Sequence, residues 1–202
     1  MHLNAVVMGT VLPLREFGLH PTAMRTGPMA ANRKGSSRRN SNEEKKTVQD
    51  AFSAIELLKE DHREVEGFFE QYESLEDDAE KEALALKICL ALQVHALIEE
   101  EIFYPEARNA ISKPELIDEA IVEHAAAKQL IAEIEAMEVG DTMRDAKVKV
   151  LGEQITHHVE EEEGELFPAV EAAGLDVNAL GQRMSARKAE LLKQLADEGE
   201  LR

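Results

Sequence analysis

A chain of 202 residues can enclose one sizeable core and a tail, but not two full domains. Aromatic residues make up 4% and charged residues 32%, with no tryptophan, so the composition favours helix over strand. A formal net charge of −18 argues against nucleic acid and anionic membranes as partners, since both need a basic surface, and suits small molecules or cations. A single cysteine, Cys89, cannot build a disulfide framework and fits a reducing, cytoplasmic setting. No apolar run reaches the length of a membrane span.

Residues 1 to 42 hold six Lys/Arg and one acidic residue, the reverse of the rest of the chain. With Pro, Gly, Ser and Arg and no sustained period, residues 1–46 read as a disordered basic tail. Its readings stay open: a dispensable tail, an organellar targeting segment, or a mis-assigned start with Met24 or Met29 as the real one.

From Thr47 onward the period is helical. The first helix is expected from about Thr47, with Asp50 in capping position, to Tyr72, and the second from about Asp77 to Arg108. Ser112, Pro114 and Glu115 open a third helix that ends near Met137, ahead of Gly140. Asp141 caps a fourth, which Gly174 ends after Ala173. Asp176 starts a shorter fifth helix through about Ala196. Short turns between four long helices predict an all-α, antiparallel, up-and-down four-helix bundle over residues 47–175, with a C-terminal helix over 176–202.

The phase of the histidines separates core from decoration. His62 falls in the stripe of Ile55, Leu58, Val65 and Phe69, and His95 in that of Ile88, Leu92, Ile98 and Ile102. His124 lies in phase with Ile117, Ile121 and Ile131, and His158 with Leu151, Ile155 and Leu166. One inward histidine is ordinarily a neutral core residue with one hydrogen bond. Four, one per helix, need several partners at once, and a metal satisfies them together.

The segments HALIEEEIFYP (95–105) and HVEEEEGELFP (158–168) repeat the frame His-x3-Glu-Glu-x3-aromatic-Pro. In each, the glutamate four residues after the histidine, Glu99 or Glu162, lies one turn further along the same face. The remaining acids, including Glu100 and Glu163, fall off that stripe and read as a solvated or rim face. Four imidazoles and two carboxylates without cysteine describe a site for borderline first-row metals, and two bridging carboxylates imply a pair of them. A shared oxo or hydroxo group would complete the bridge, leaving a position on each metal for a small ligand. The Glu-x-x-His spacing of ferritin-like carboxylate proteins and the His-Glu-x-x-His of metalloproteases are both absent.

On these motifs the chain from about Ala51 to Pro168 resembles the hemerythrin HHE cation-binding family, four-helix bundles that hold a non-haem di-iron centre. The resemblance makes His62, His95, Glu99, His124, His158 and Glu162 the metal ligands and two iron ions the cofactor. One departure is Lys128, where oxygen-carrying hemerythrins place a second histidine one turn after the third-helix histidine; another is Glu162 in place of a differently spaced Asp. Reversible O₂ transport is thereby disfavoured. The ligand set is more similar to di-iron proteins implicated in repair of damaged iron–sulfur clusters, and to iron-sensing HHE domains.

The expected function is a hemerythrin-like di-iron protein that binds, senses or reduces O₂, nitric oxide or peroxide, or senses iron. The alternatives are a di-iron enzyme of nitrosative or oxidative stress defence or cluster repair, and a metal-free helical interaction module. Smaller features take bland readings. His157 is exposed or a neighbour of the ligands, Tyr104 and Phe167 pack the closed end of the bundle, and Pro105 and Pro168 kink their helices. Cys89 is a buried apolar residue. Lys128 reaches either the pocket or solvent, and His2 and His20 are incidental. The fifth helix caps the bundle or meets a protein partner.

Overall fold

The computed structural model describes residues 53–200, and these are helical throughout apart from their turns. The tail expected over residues 1–46, with His2, His20 and the proposed first-helix start at Thr47 and Asp50, lies outside the described residues. Helix α1 spans Ala54–Glu73 and α2 Asp78–Ile98; α2 runs through a π-helical turn, Glu99–Phe103, into α3, Tyr104–Ala110. Helix α4 spans Glu115–Glu135 and α5 Arg144–Glu161, which continues through a second π turn, Glu162–Leu166, into α6, Phe167–Ala173. Helix α7 spans Val177–Glu200.

The ends follow from local chemistry. The Asp77 carboxylate accepts from the amides of Ala79 and Glu80, both at 3.0 Å, satisfying two of the orphan donors that open α2. Asp176 accepts from one such amide, that of Ala179 at 3.0 Å, at the start of α7. Asp141 accepts from Met143 at 2.9 Å, but the intervening residues form a turn and the regular helix starts only at Arg144. Gly174 ends α6 in the left-handed region, φ 72°, where a Cβ would be strained.

The two long helices expected to run to Arg108 and Ala173 each contain a π turn at the repeated frame. Proline supplies the reason. Pro105 and Pro168 have no N–H to return to the carbonyls four residues earlier, so the helix widens instead. The amide of Tyr104 bonds the Glu99 carbonyl and that of Phe167 bonds the Glu162 carbonyl, a reach of five residues. The expected kink is thus a turn of altered pitch, and it begins at the inward glutamate in both copies.

Helices α1, α2, α4 and α5 form the ring of the bundle: α1 packs on α2 and α5, and α4 on the same two. Helix α7 lies over α1, α2 and the first π turn, burying Leu180, Met184 and Leu191. Two apolar clusters fill the interior. One contains Ile55, Leu58, Ile98, Phe103, Phe167 and Met184; the other contains Val65, Ile88, Leu92, Ile131, Leu151 and Val159. A fully buried side chain of this size contributes about 1.5–3 kcal/mol. His62 lies between the two clusters in sequence, after Leu58 and before Val65, as His124 does between Ala120 and Ala127 and Glu162 between Val159 and Leu166. Among the described residues no helix is long and apolar enough to cross a membrane.

Candidate metal centre

All six residues singled out from the sequence lie together in the interior. His62, His95, Glu99, His124, His158 and Glu162 are each at most 7% exposed. They divide into two groups whose donor atoms lie within 4.8 Å of one another, His62 with His95, Glu99 and Glu162, and Glu99 with His124 and His158. His157 stays outside, 62% exposed.

The imidazoles meet in pairs. Nε2 of His62 and Nε2 of His95 are 3.2 Å apart, and so are those of His124 and His158. Each carboxylate reaches both pairs. Oε2 of Glu99 is 3.2 Å from His95 and 3.3 Å from His124, while Oε2 of Glu162 is 3.4 Å from His62 and 3.6 Å from His158.

The outer ring nitrogens face carboxylates. His62 Nδ1 donates to Glu163 at 2.9 Å, His124 Nδ1 to Glu100 at 3.0 Å and His158 Nδ1 to Glu123 at 2.8 Å. A carboxylate can only accept, so the proton sits on Nδ1 and Nε2 keeps its lone pair for the interior. His95 Nδ1 faces Asp61 Oδ2 at 3.6 Å, too far for a hydrogen bond. Lys188 of α7 holds the other oxygen of that carboxylate. Glu100 is further held by Lys128 Nζ, 2.6 Å from both oxygens, and Glu163 by Arg63. Such carboxylate–histidine pairs orient ligands and raise their basicity in metal sites.

Glu100 and Glu163 therefore do more than line a solvated rim. They are the second glutamate of each repeated frame, and each reaches back to an imidazole on a neighbouring helix. Asp61 and Glu123 have the complementary place, each immediately before an inward histidine and facing the histidine of the next ring helix. The sequence carried this signal in the pairs Asp61-His62 and Glu123-His124 and in the doubled glutamates; helical phase alone assigned Glu100 and Glu163 to the rim.

Tyr104 also departs from the packing role expected of it. Its hydroxyl donates to Glu162 Oε1 at 2.8 Å and lies 3.3 Å from His124 Nε2. Its counterpart Phe167 keeps the packing role, stacked on the His62 ring with centroids 5.9 Å apart and planes at 7°. The clue was the one hydroxyl by which the two frames differ.

Electrostatics and hydrogen bonding show what a bound cation would offset in this interior. Burial and the charge of Glu162 push the Glu99 carboxyl well above the usual range. Burial acts on Glu162 in the same direction, but the close approach of the His62 ring, 3.4 Å away, and the fields of His158, His62 and His95 outweigh it and hold it at about 2. Burial lowers His95, and lowers His124 to about 4 with help from the charge of His158. His158 is raised: burial opposes its charge, but the hydrogen bond to Glu123 and the field of Glu162 prevail. Glu99 Oε1 and Glu162 Oε2 are buried without a hydrogen-bond partner. A neutral His124 and His158, each with its proton on Nδ1, would point lone pairs at each other across 3.2 Å with no proton between them. Orphaned buried acceptors of this kind cost about 1–3 kcal/mol each, and positive charge removes the cost. The donor set, imidazole nitrogens and carboxylate oxygens, fits a first-row transition metal.

Comparison with known proteins agrees with this chemistry. The model of the Hemerythrin HHE cation binding domain matches residues 53–170. A crystal structure of a hemerythrin HHE cation binding domain-containing protein from Mycobacterium kansasii shares the fold, with a TM-score of 0.60 and 23% identity, covering 69% of this chain and 86% of that one. A search of curated proteins gives no match. With the domain model spanning more than half of its length, the chain belongs to the hemerythrin HHE cation-binding family.

Proposed function

We propose that this chain is a non-haem di-iron protein that acts on small oxidants: O₂, nitric oxide or peroxide. In this reading His62 and His95 would hold one iron and His124 and His158 the other, with Glu99 and Glu162 the carboxylates within reach of both pairs. The observation that carries it is the geometry of two imidazole pairs, each with Nε2 atoms 3.2 Å apart, spanned by two buried carboxylates. Iron bound there would supply the redox equivalents and a Lewis-acidic position for the oxidant. The chain's own residues would do the rest. Glu163, Glu100 and Glu123 fix the tautomers of three imidazoles, Tyr104 offers a hydroxyl proton beside Glu162, and the two apolar clusters keep bulk water away from the pair.

The domain that carries this function is taken as residues 47–175, and the single buried thiol, Cys89, is compatible with a cytoplasmic setting. Metal analysis and an optical spectrum of protein from iron-supplemented medium test the reading, with about two irons per chain expected. Repeated isolation with one tetrahedral zinc and no iron would exclude it. Glu99→Ala and Glu162→Ala should each abolish the dinuclear centre, because one loss removes a bridge from both metals.

A further inference from the structure

A cavity of about 200 Å³ lies against the histidines on the side of the second apolar cluster. His62, His95, His124 and His158 all line it, so it ends on the ligand set. Its walls are Val65, Phe68, Ala91, Ile131, Ile155 and Val159. A diatomic or a peroxide is only a little larger than one water, about 30 Å³, whereas a dry cavity of about 150 Å³ holds benzene. The space is therefore sized for an organic body of roughly seven carbons.

The rim supplies a charge. Three lysines, Lys87, Lys128 and Lys188, line the cavity against two acids, Asp61 and Glu64, in a chain where acids outnumber bases by 41 to 23. Glu100 and Asp61 already hold Lys128 and Lys188. Lys87 has no carboxylate partner among the described residues; its ammonium lies over the Phe68 ring, 4.0 Å from the centroid. Glu64 is the one countercharge left at this mouth.

From this placement we infer that the cavity binds a small amphipathic carboxylate, its apolar tail directed at the histidines and its head at Lys87. The inference deepens the di-iron reading by naming an organic substrate class for the same site, and it rests on that reading for any chemistry at the inner end.

The test is calorimetric titration of the full-length, iron-loaded chain with octanoate, acetate and octylamine, and metal analysis of the same samples. Octanoate should bind at least about a hundredfold more tightly than acetate, which lacks the tail, and octylamine should bind more weakly than octanoate. Ala91→Phe, which fills the space, should abolish octanoate binding with metal content unchanged. Lys87→Glu, at an exposed position that leaves the core intact, should weaken it by roughly fivefold, and Glu64→Gln should tighten it. Metal-replete protein that ignores octanoate, or binds octylamine equally well, overturns the carboxylate site alone. Protein that takes up no iron under loading yet still binds octanoate upholds the site while removing the di-iron reading.

Discussion

The hydroxyl of Tyr104 donates to Oε1 of Glu162, 2.8 Å away and 58 residues later in the chain, joining the end of the first repeated frame to the inward carboxylate of the second. The bond crosses the bundle and holds one oxygen of a carboxylate whose other oxygen has no partner. Tyr104→Phe should fold, since Phe167 fills the matching position, and should lower metal affinity by roughly tenfold. Competition with a chelator of known affinity measures this; unchanged affinity would reduce Tyr104 to packing.

Three of the inward imidazoles are held from behind by Glu163, Glu100 and Glu123. Glu123→Ala frees the His158 ring and removes the acceptor that fixes its tautomer. Metal affinity should fall by about 10- to 100-fold while the far-ultraviolet helical signal stays within error of wild type. Glu123→Asp should recover less than Glu123→Gln, because a shorter side chain misses Nδ1 whereas an amide oxygen still accepts from it.

Protons and cations compete for the same atoms. Glu99 and His158 both have raised pKa values in the metal-free chain, so both retain protons to higher pH than their free counterparts. Each proton must leave before the atom can ligate, so metal uptake should release protons and apparent affinity should rise with pH above the ordinary carboxylate range. An indicator dye in weakly buffered solution reads the release. Metal uptake without acidification would show that these groups do not ligate.

Lys128 stands where an oxygen carrier would have a further histidine, and its ammonium is committed to Glu100. Lys128→His places an imidazole one turn from His124 on the same face. Filling a position on one metal should slow oxidation of the reduced protein by O₂ in stopped-flow mixing. Lys128→Ala is the control for the lost Glu100 contact and should not slow it. Wild type that loads and releases O₂ over many cycles without net oxidation would contradict this role.

Burial pushes the Cys89 thiol up to about 12, with the charge of Glu135 adding to it. The folded chain therefore favours the protonated form. This contribution to stability is complete below the ordinary thiol range and declines as pH rises from about 9 toward 12. Native protein should resist alkylation at pH 8 and label fully in denaturant; rapid native labelling would mean that the second apolar cluster opens readily.

Helical phase was enough to bring the six candidate ligands to one depth, because an imidazole four residues before a carboxylate on an apolar stripe has only one way to face. The same periodicity and the glycine and aspartate punctuation specified the helices and their order. Phase could not identify the residues behind the ligands. Glu100 and Glu163 sit about 100° from the inward face, and only the approach of α4 and α1 brings His124 and His62 within reach of their side chains. Tyr104 turns toward Glu162 because the π turn ahead of Pro105 shifts its register, an adjustment that neither hydropathy nor spacing encodes. The pairing of His62 with His95 and of His124 with His158, and the cavity behind them, belong likewise to the packing of whole helices. Contacts between residues distant in the chain depend on which faces meet, and each helix alone is silent about its neighbour.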